Sequence, residues 1–277
     1  MSIQTRAIPS SGEQLPVIGL GTWQTFDTGT SESDTEQLSA VLLTLIEGGG
    51  SVVDSSPMYG RSEETVGNLS VQAEVNDKLF IATKVWCNGK EEGVRQMKQS
   101  MQRLRRDTLD LIQVHNLTDW RTHLPTLQQW KEAGTVRYTG ITHYSEGAYD
   151  EIEQILQKET VDFLQINYSV DARKAEERLF PVAQERNVAI IINRPFQEGA
   201  LLRRLSRHRV PEWASEFGCE TWSELLLKFI ISHPAVTCVI PATSSPYHME
   251  SNLRVGAQQP PDNGLREELA RRIMEQL

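Results

Sequence analysis

The sequence predicts an α/β fold, a single (β/α)8 (TIM) barrel, and three observations carry that expectation. Eight short β-branched or apolar runs recur along the 277 residues, amphipathic stretches separate them, and no hairpin turn joins one run to the next. Strand, helix, strand without hairpins means parallel strands, and eight such units close on themselves rather than spreading into an open sheet. A barrel of this kind takes about 250 residues, so one domain over residues 1–277 accounts for the chain.

The strand candidates are residues 17–20, 51–54, 80–84, 109–115, 136–142, 163–167, 189–193 and 236–240. Helical spacing of Leu, Ile and Val falls at 34–47, 91–105, 123–133, 148–157, 175–186 and 222–233. Gly48, Gly49 and Gly50 end a helix before the second strand, and Ala133 with Gly134 does the same before the fifth. Residues 14–20 are expected to follow a small N-terminal β element plugging the barrel floor. Residues 263–277 read as a terminal helix on the outside. The basic run RRLSRHR at 203–209 is placed in a connection, where it faces solvent or helps hold a phosphate.

A hydrophobic content of 39% with 23% charged residues supports a full core. The net charge of -9 offers no basic face to nucleic acid. Cys87, Cys219 and Cys238 are odd in number and far apart, as expected of reduced thiols in a reducing compartment. The first twelve residues hold no signal-peptide core, and no run of about 18 apolar residues occurs. A cytoplasmic monomer acting on a small molecule, without nucleic-acid or membrane partners, is the expectation.

In such a barrel the chemistry lies at the C-terminal strand ends. Asp54, Lys84 and His115 end the second, third and fourth strands, and Tyr59 follows Asp54 inside the loop Ser55-Ser56-Pro57-Met58-Tyr59-Gly60. Each alone has an ordinary structural use, such as capping, solvation or core packing. Their coincidence on one rim singles them out. Reducing a carbonyl by hydride transfer creates an alkoxide, which needs an acid and donors placed where that charge develops. A lysine ammonium beside a tyrosine is expected to lower the phenol's pKa, an aspartate to keep the lysine charged, and a histidine to orient the substrate oxygen.

The chain resembles the aldo-keto reductase family over essentially its whole length. The resemblance rests on GLGTW at 19–23, VVDSSPMYGRSEETVG at 52–67, ATKVW at 82–86, LDLIQVHN at 109–116, GITHYS at 140–145, LQINYS at 164–169 and VIPATSSPYHMESN at 239–252. It implies an NADPH-dependent carbonyl reductase with Tyr59 as acid, Lys84 as its tuning partner, Asp54 as counter-ion and His115 as orienter. It implies that Gly21, Thr22, Trp23 and Asp54 lie at the cofactor, and that Thr142, His143 and Gln165 hold the nicotinamide carboxamide. Asn193 stands where the family stacks an aromatic ring on the nicotinamide, a place Phe196 serves if it shifts, with Pro195 beside it. Ala242, Thr243 and His248 fall where Lys, Ser and Arg meet the adenosine 2'-phosphate, and Asn252 where the family contacts adenine. With those two cations replaced, the margin for NADPH over NADH is expected to shrink, and NADH is admitted. Trp23, Trp86, Asn116 and Trp120 resemble the substrate-pocket walls, and the substrates are aldehydes or activated ketones. No GxGxxG is present, which excludes a Rossmann domain but not this cofactor site.

Two other readings share the fold. One is a cofactor-sensing regulatory subunit, because the family includes barrel proteins attached to ion channels that turn over little. The other is a metal-dependent hydrolase using Asp54, His115 and His143; no HxH pair follows the first strand and Lys84 would repel the metal, so no metal is expected.

Overall fold

The computed structural model describes residues 3–28 and 31–277, so Met1 and Ser2 of the N-terminal stretch lie outside it. A short antiparallel hairpin comes first, β1 (Thr5–Ala7) against β2 (Gln14–Pro16). Eight parallel strands then follow in neighbouring order. They are β3 (Leu20–Gly21), β4 (Val52–Asp54), β5 (Phe80–Val85), β6 (Leu109–His115), β7 (Val136–Thr142), β8 (Phe163–Asn167), β9 (Ala189–Asn193) and β10 (Val236–Val239). The sheet closes where the N–H groups of Gly19 and Gly21 donate to Val239 O at 2.9 Å and Pro241 O at 3.1 Å, and Val239 N–H donates to Val17 O at 3.0 Å. The result is a (β/α)8 barrel.

The first strand differs from its expected span. The regular ladder holds only Leu20 and Gly21, while the preceding residues belong to the closing seam with Val239. Val17 is held from two sides, its N–H donating to Gln4 O at 3.0 Å and its carbonyl accepting from Val239 N–H at 3.0 Å, so it belongs to the hairpin and the seam rather than to the ladder with β4. At Gly21 the seam is tight, because a Cβ there would lie 2.8 Å from Ile240 O.

Helices wrap the barrel as α1 (Glu32–Glu47), α2 (Ser62–Gln72), α3 (Lys90–Leu104), α4 (Trp120–Glu132), α5 (Tyr149–Lys158), α6 (Leu179–Glu185), α7 (Ala200–Leu205), α8 (Trp222–Ile231), α9 (Pro246–Gly256) and α10 (Asn263–Met274). In α1 the buried stripe Leu38, Val41, Leu42 and Leu45 repeats at helical spacing, each burial contributing about 1.5–3 kcal/mol. Two helical expectations change. The stretch 175–186 breaks into a single turn and then α6, whose first turn holds Pro181, where the missing N–H costs no helical hydrogen bond. The basic run begins inside α7, which contains Arg203 and Arg204. Among the described residues, no helix is long and apolar enough to cross a membrane, and the three cysteines are free thiols.

The barrel interior is layered. Its lower part is an apolar cluster of Val52, Phe80, Ala82, Leu111, Tyr138, Phe163, Ala189, Ile191, Cys238 and Ile240, closed below by Ile8 and Leu15 from the hairpin end. Side chains alternate along a strand, so stepping two residues from Val52, Ala82, Leu111 and Phe163 gives Asp54, Lys84, Gln113 and Gln165 on the same inward face. All four are buried. The polar layer therefore sits on an apolar floor, one step below the mouth.

Candidate active site

A cavity of about 530 Å³ opens at the C-terminal ends of the strands, within the usual range for a small-molecule site. Its floor is the buried ion pair between Lys84 and Asp54, with Nζ 2.6 Å from Asp54 Oδ2 and both side chains at 3% exposure or less. The ammonium also donates to Ser55 O at 2.8 Å. Two of its three donors are thus spent, and the Tyr59 ring lies on the remaining side, its centroid 4.8 Å from Nζ. The second carboxylate oxygen of Asp54 accepts from Gln165 Nε2 at 2.8 Å and from Gln113 Nε2 at 3.3 Å. A buried carboxylate with one cation and two amide donors is well satisfied.

Tyr59 is carried by the loop after β4. Its N–H donates to Ser56 O at 3.0 Å, making a tight turn. Gly60 then adopts φ 58°, with its Cα against the Asp27 carboxylate, which accepts from Arg61 N–H at 2.9 Å. His115, the last residue of β6, stands edge-on to Tyr59 at a centroid distance of 5.9 Å. Trp86 lies 6.4 Å from the same imidazole and is 40% exposed at the mouth, beyond the cavity wall itself.

Three ionisations follow from this packing. Burial pushes the Tyr59 phenol above its ordinary value; the Lys84 ammonium pulls the other way and loses, with Asp54 adding to the upward push. That reverses the sequence-based expectation. A phenolate here would lose its water and gain only an ammonium already shared with Asp54. Burial also disfavours the charge on Lys84, but Asp54 and then Tyr59 outweigh it and hold the amine above its ordinary range. His115 is driven down to about 3, by burial first and then by Lys84 and His143, so it is neutral near pH 7.

The remaining expected residues divide between the cavity wall and its surroundings. Gly21, Thr22, Trp23, Asn116, Thr142, His143, Gln165, Asn193, Pro195, Phe196 and Ala242 line the cavity with Asp54, Tyr59 and His115. Thr142 Oγ1 donates to Gln165 Oε1 at 3.2 Å, and Asn193 Nδ2 donates to His143 O at 3.3 Å. Asn193 Oδ1 is buried without a partner. His143 Nδ1 accepts from the N–H groups of Tyr144 and Ser145, both at 3.0 Å. At the Ala242 end, Thr243 Oγ1 accepts from Ser245 N–H at 3.0 Å while Ser245 caps α9, so both hydroxyls are engaged locally. Thr243 and Asn252 are buried and His248 is exposed, none of them in the cavity wall.

Trp120 departs from its expected place in the pocket. Its indole N–H donates to Glu151 at 2.9 Å, the Arg121 guanidinium stacks on it at 4.2 Å, and it does not line the cavity. Conversely, Ser56, Gln113, Tyr144, Arg194 and Glu198 belong to the site and were not singled out in the sequence. Gln113 had a signal, being two residues before His115 on one strand face. Arg194 had none: it sits at φ 51°, stacks on Tyr144 at 4.2 Å and pairs with Glu198, a loop arrangement without periodicity.

Residues 17–265 match the family model described as the Aldo/keto reductase family. Among curated proteins, the chain is 26% identical over 261 residues to a methylglyoxal reductase, YeaE, of Escherichia coli, covering 91% of this chain and 90% of that one. It is 25% identical over 232 residues to an NADH-specific methylglyoxal reductase of the same organism, covering 71% and 68%. Among solved structures, an aldo-keto reductase from Klebsiella pneumoniae in complex with NADPH superposes with a TM-score of 0.80 at 26% identity, covering 99% of this chain and 96% of that one.

Proposed function

The chain belongs to the aldo/keto reductase family, and from that premise we propose that it is an NADPH-dependent carbonyl reductase in which Tyr59 is the general acid toward aldehydes or ketones. One observation carries the reading: a fully buried ammonium, fixed by Asp54 at 2.6 Å, lies against the ring of a tyrosine that shares the cavity wall with a neutral histidine. Such an array supplies a proton and a second donor where an alkoxide would form.

The cavity suits a nicotinamide cofactor on two counts. Its wall carries Gly21, Asp54, His115, Thr142, Gln165 and Asn193 from six strands together with Ala242, and the orphaned Asn193 Oδ1 leaves an acceptor for a ligand amide once side chains adjust. Gly21, Thr22, Thr142, His143, Asn193, Pro195, Phe196 and Ala242 would hold it. When bound, the cofactor supplies a hydride to the substrate carbon. Tyr59 keeps its proton until negative charge builds on the substrate oxygen, because burial holds the phenol protonated. Lys84 stabilises the phenolate as that proton leaves, and Asp54 keeps Lys84 in place. His115 donates to the same oxygen. Trp23, Met58 and Trp86, each about two-fifths exposed at the mouth, give the substrate an apolar approach.

NADPH is favoured over NADH because residues 242–248 hold no acidic side chain to repel a phosphate, and the margin is narrow because Ala242 contributes no charge. The NADH-specific relative supports keeping NADH as a second donor. The substituted positions Asn193, Ala242 and His248 favour one further reading, a cofactor sensor with little turnover. A metal-dependent hydrolase fits poorly, because the Asp54 carboxylate it would need is occupied by an ammonium.

Consumption of reduced cofactor with a panel of aldehydes, methylglyoxal among them, separates these readings. Tyr59→Phe should lower turnover by about 10²–10⁴-fold with cofactor affinity within a few-fold. Retained turnover removes Tyr59 from the mechanism.

A further inference from the structure

The Ser56 hydroxyl is fully buried in the loop between β4 and Tyr59, and the mechanism above does not use it. Pro57 follows it, which restricts the Ser56 backbone to extended conformations and aims the side chain reproducibly. Two groups meet Oγ: the Met58 N–H donates to it at 3.2 Å, and His115 Nδ1 lies 3.2 Å away. Among the described residues, no other acceptor is within hydrogen-bond reach of this hydroxyl.

The proton count then decides the arrangement. Met58 can only donate, so it uses one lone pair of Oγ. If His115 Nδ1 also donated, Oγ would accept twice and its own proton would be buried without a partner, a costly arrangement. If the hydroxyl proton goes to Nδ1, every group is satisfied. A neutral imidazole that accepts at Nδ1 carries its proton at Nε2. Nε2 has no partner among the described residues, and His115 lies in the cavity wall beside Tyr59.

We infer that Ser56 is a positioning residue: its hydroxyl donates to His115 Nδ1 and so fixes the ring as the Nε2–H tautomer, presenting an N–H rather than a lone pair to the substrate oxygen. The consequence for turnover rests on the carbonyl-reductase reading; the tautomer itself does not. With the lone pair facing inward, the ring would repel an alkoxide instead of stabilising it. The Tyr59 proton would also have a competing acceptor.

The test is the ¹⁵N spectrum of the histidine-labelled full-length chain at neutral pH, with His115 assigned by its loss in His115→Gln. In the wild type, the ring should show a protonated Nε2 and an accepting Nδ1. Ser56→Ala should introduce a population protonated at Nδ1, shifting both resonances, and Ser56→Thr should restore the wild-type pattern. In steady state, Ser56→Ala should lower kcat/KM for the carbonyl by about two- to thirteen-fold, the worth of one hydrogen bond, with reduced-cofactor affinity unchanged. A wild-type ring protonated at Nδ1, or an Ser56→Ala spectrum identical to wild type, overturns the assignment. Because the spectrum needs no turnover, a chain inert toward every carbonyl but carrying the predicted Nε2–H counts against the reductase reading while supporting the hydrogen bond.

Discussion

Replacing Lys84 by Met tests the centre of the site, because this residue is fully buried and serves two neighbours at once. For activity, an ammonium about 4.8 Å from the phenol ring, at an effective dielectric of about 20, stabilises negative charge there by about 3.5 kcal/mol. That caps the expected loss of turnover at about 10²–10³-fold. The loss should vanish in a Tyr59→Phe background, where no phenol remains to be assisted. For stability, removal leaves the Asp54 carboxylate with Gln113 and Gln165 alone, and breaking one half of a buried pair costs about 3–5 kcal/mol. Lys84→Met with Asp54→Asn should recover most of that. The assays are urea unfolding of the single and double variants, and carbonyl-dependent consumption of reduced cofactor. Losses from Lys84→Met and Tyr59→Phe that simply multiply would refute the coupling. A double variant no more stable than Lys84→Met would refute the ion-pair account.

Two further outcomes follow from the electrostatics. His115 has a folded pKa of about 3 against about 6.5 unfolded, so between these values the unfolded chain binds more protons. Its contribution to stability is complete above about pH 6.5 and is lost as pH falls toward 3, on the order of 4 kcal/mol over the window. Urea unfolding of His115→Gln should show a visibly flatter dependence between pH 4 and 6.5; an unchanged slope would mean the ring is not held neutral. At the other end of the cavity, Ala242→Lys should raise NADPH affinity by about ten- to a hundred-fold, the value of a charge-assisted phosphate contact, with NADH nearly unchanged. Fluorescence titration with both cofactors reads this directly, and equal effects would mean the 2'-phosphate is not met near Ala242.

Much of the site was legible in the sequence because strands have a period of two. Asp54, Lys84 and His115 end apolar runs, and the same alternation that buries Val52, Ala82 and Leu111 in the barrel interior places Asp54, Lys84 and Gln113 above them. Length, eight apolar runs and the intervening amphipathic stretches were enough to specify a closed parallel barrel. Tyr59, which no periodicity marks, was found from its place in the loop that leaves the Asp54 strand end, and the family motifs then gave it the role of acid. The first strand's ladder starts later than expected, because a sequence cannot show that Val17 is bonded to Gln4 and Val239 instead.

Other features exist only once the barrel is closed. Gln165 reaches the Asp54 carboxylate across 111 residues of chain, and Trp120 turns toward Glu151 rather than the pocket. The Ser56 to His115 bond spans 59 residues, and the Arg194, Tyr144 and Glu198 cluster depends on left-handed loop backbone. The proton on Tyr59 is the sharpest case. Its residue type and its lysine neighbour suggest a lowered pKa, yet burial reverses the sign. The sequence by itself determined the barrel and pointed to Asp54, Tyr59, Lys84 and His115 at its mouth. Only the tertiary structure decided their protonation, because desolvation depends on how completely other segments of the chain exclude water from them.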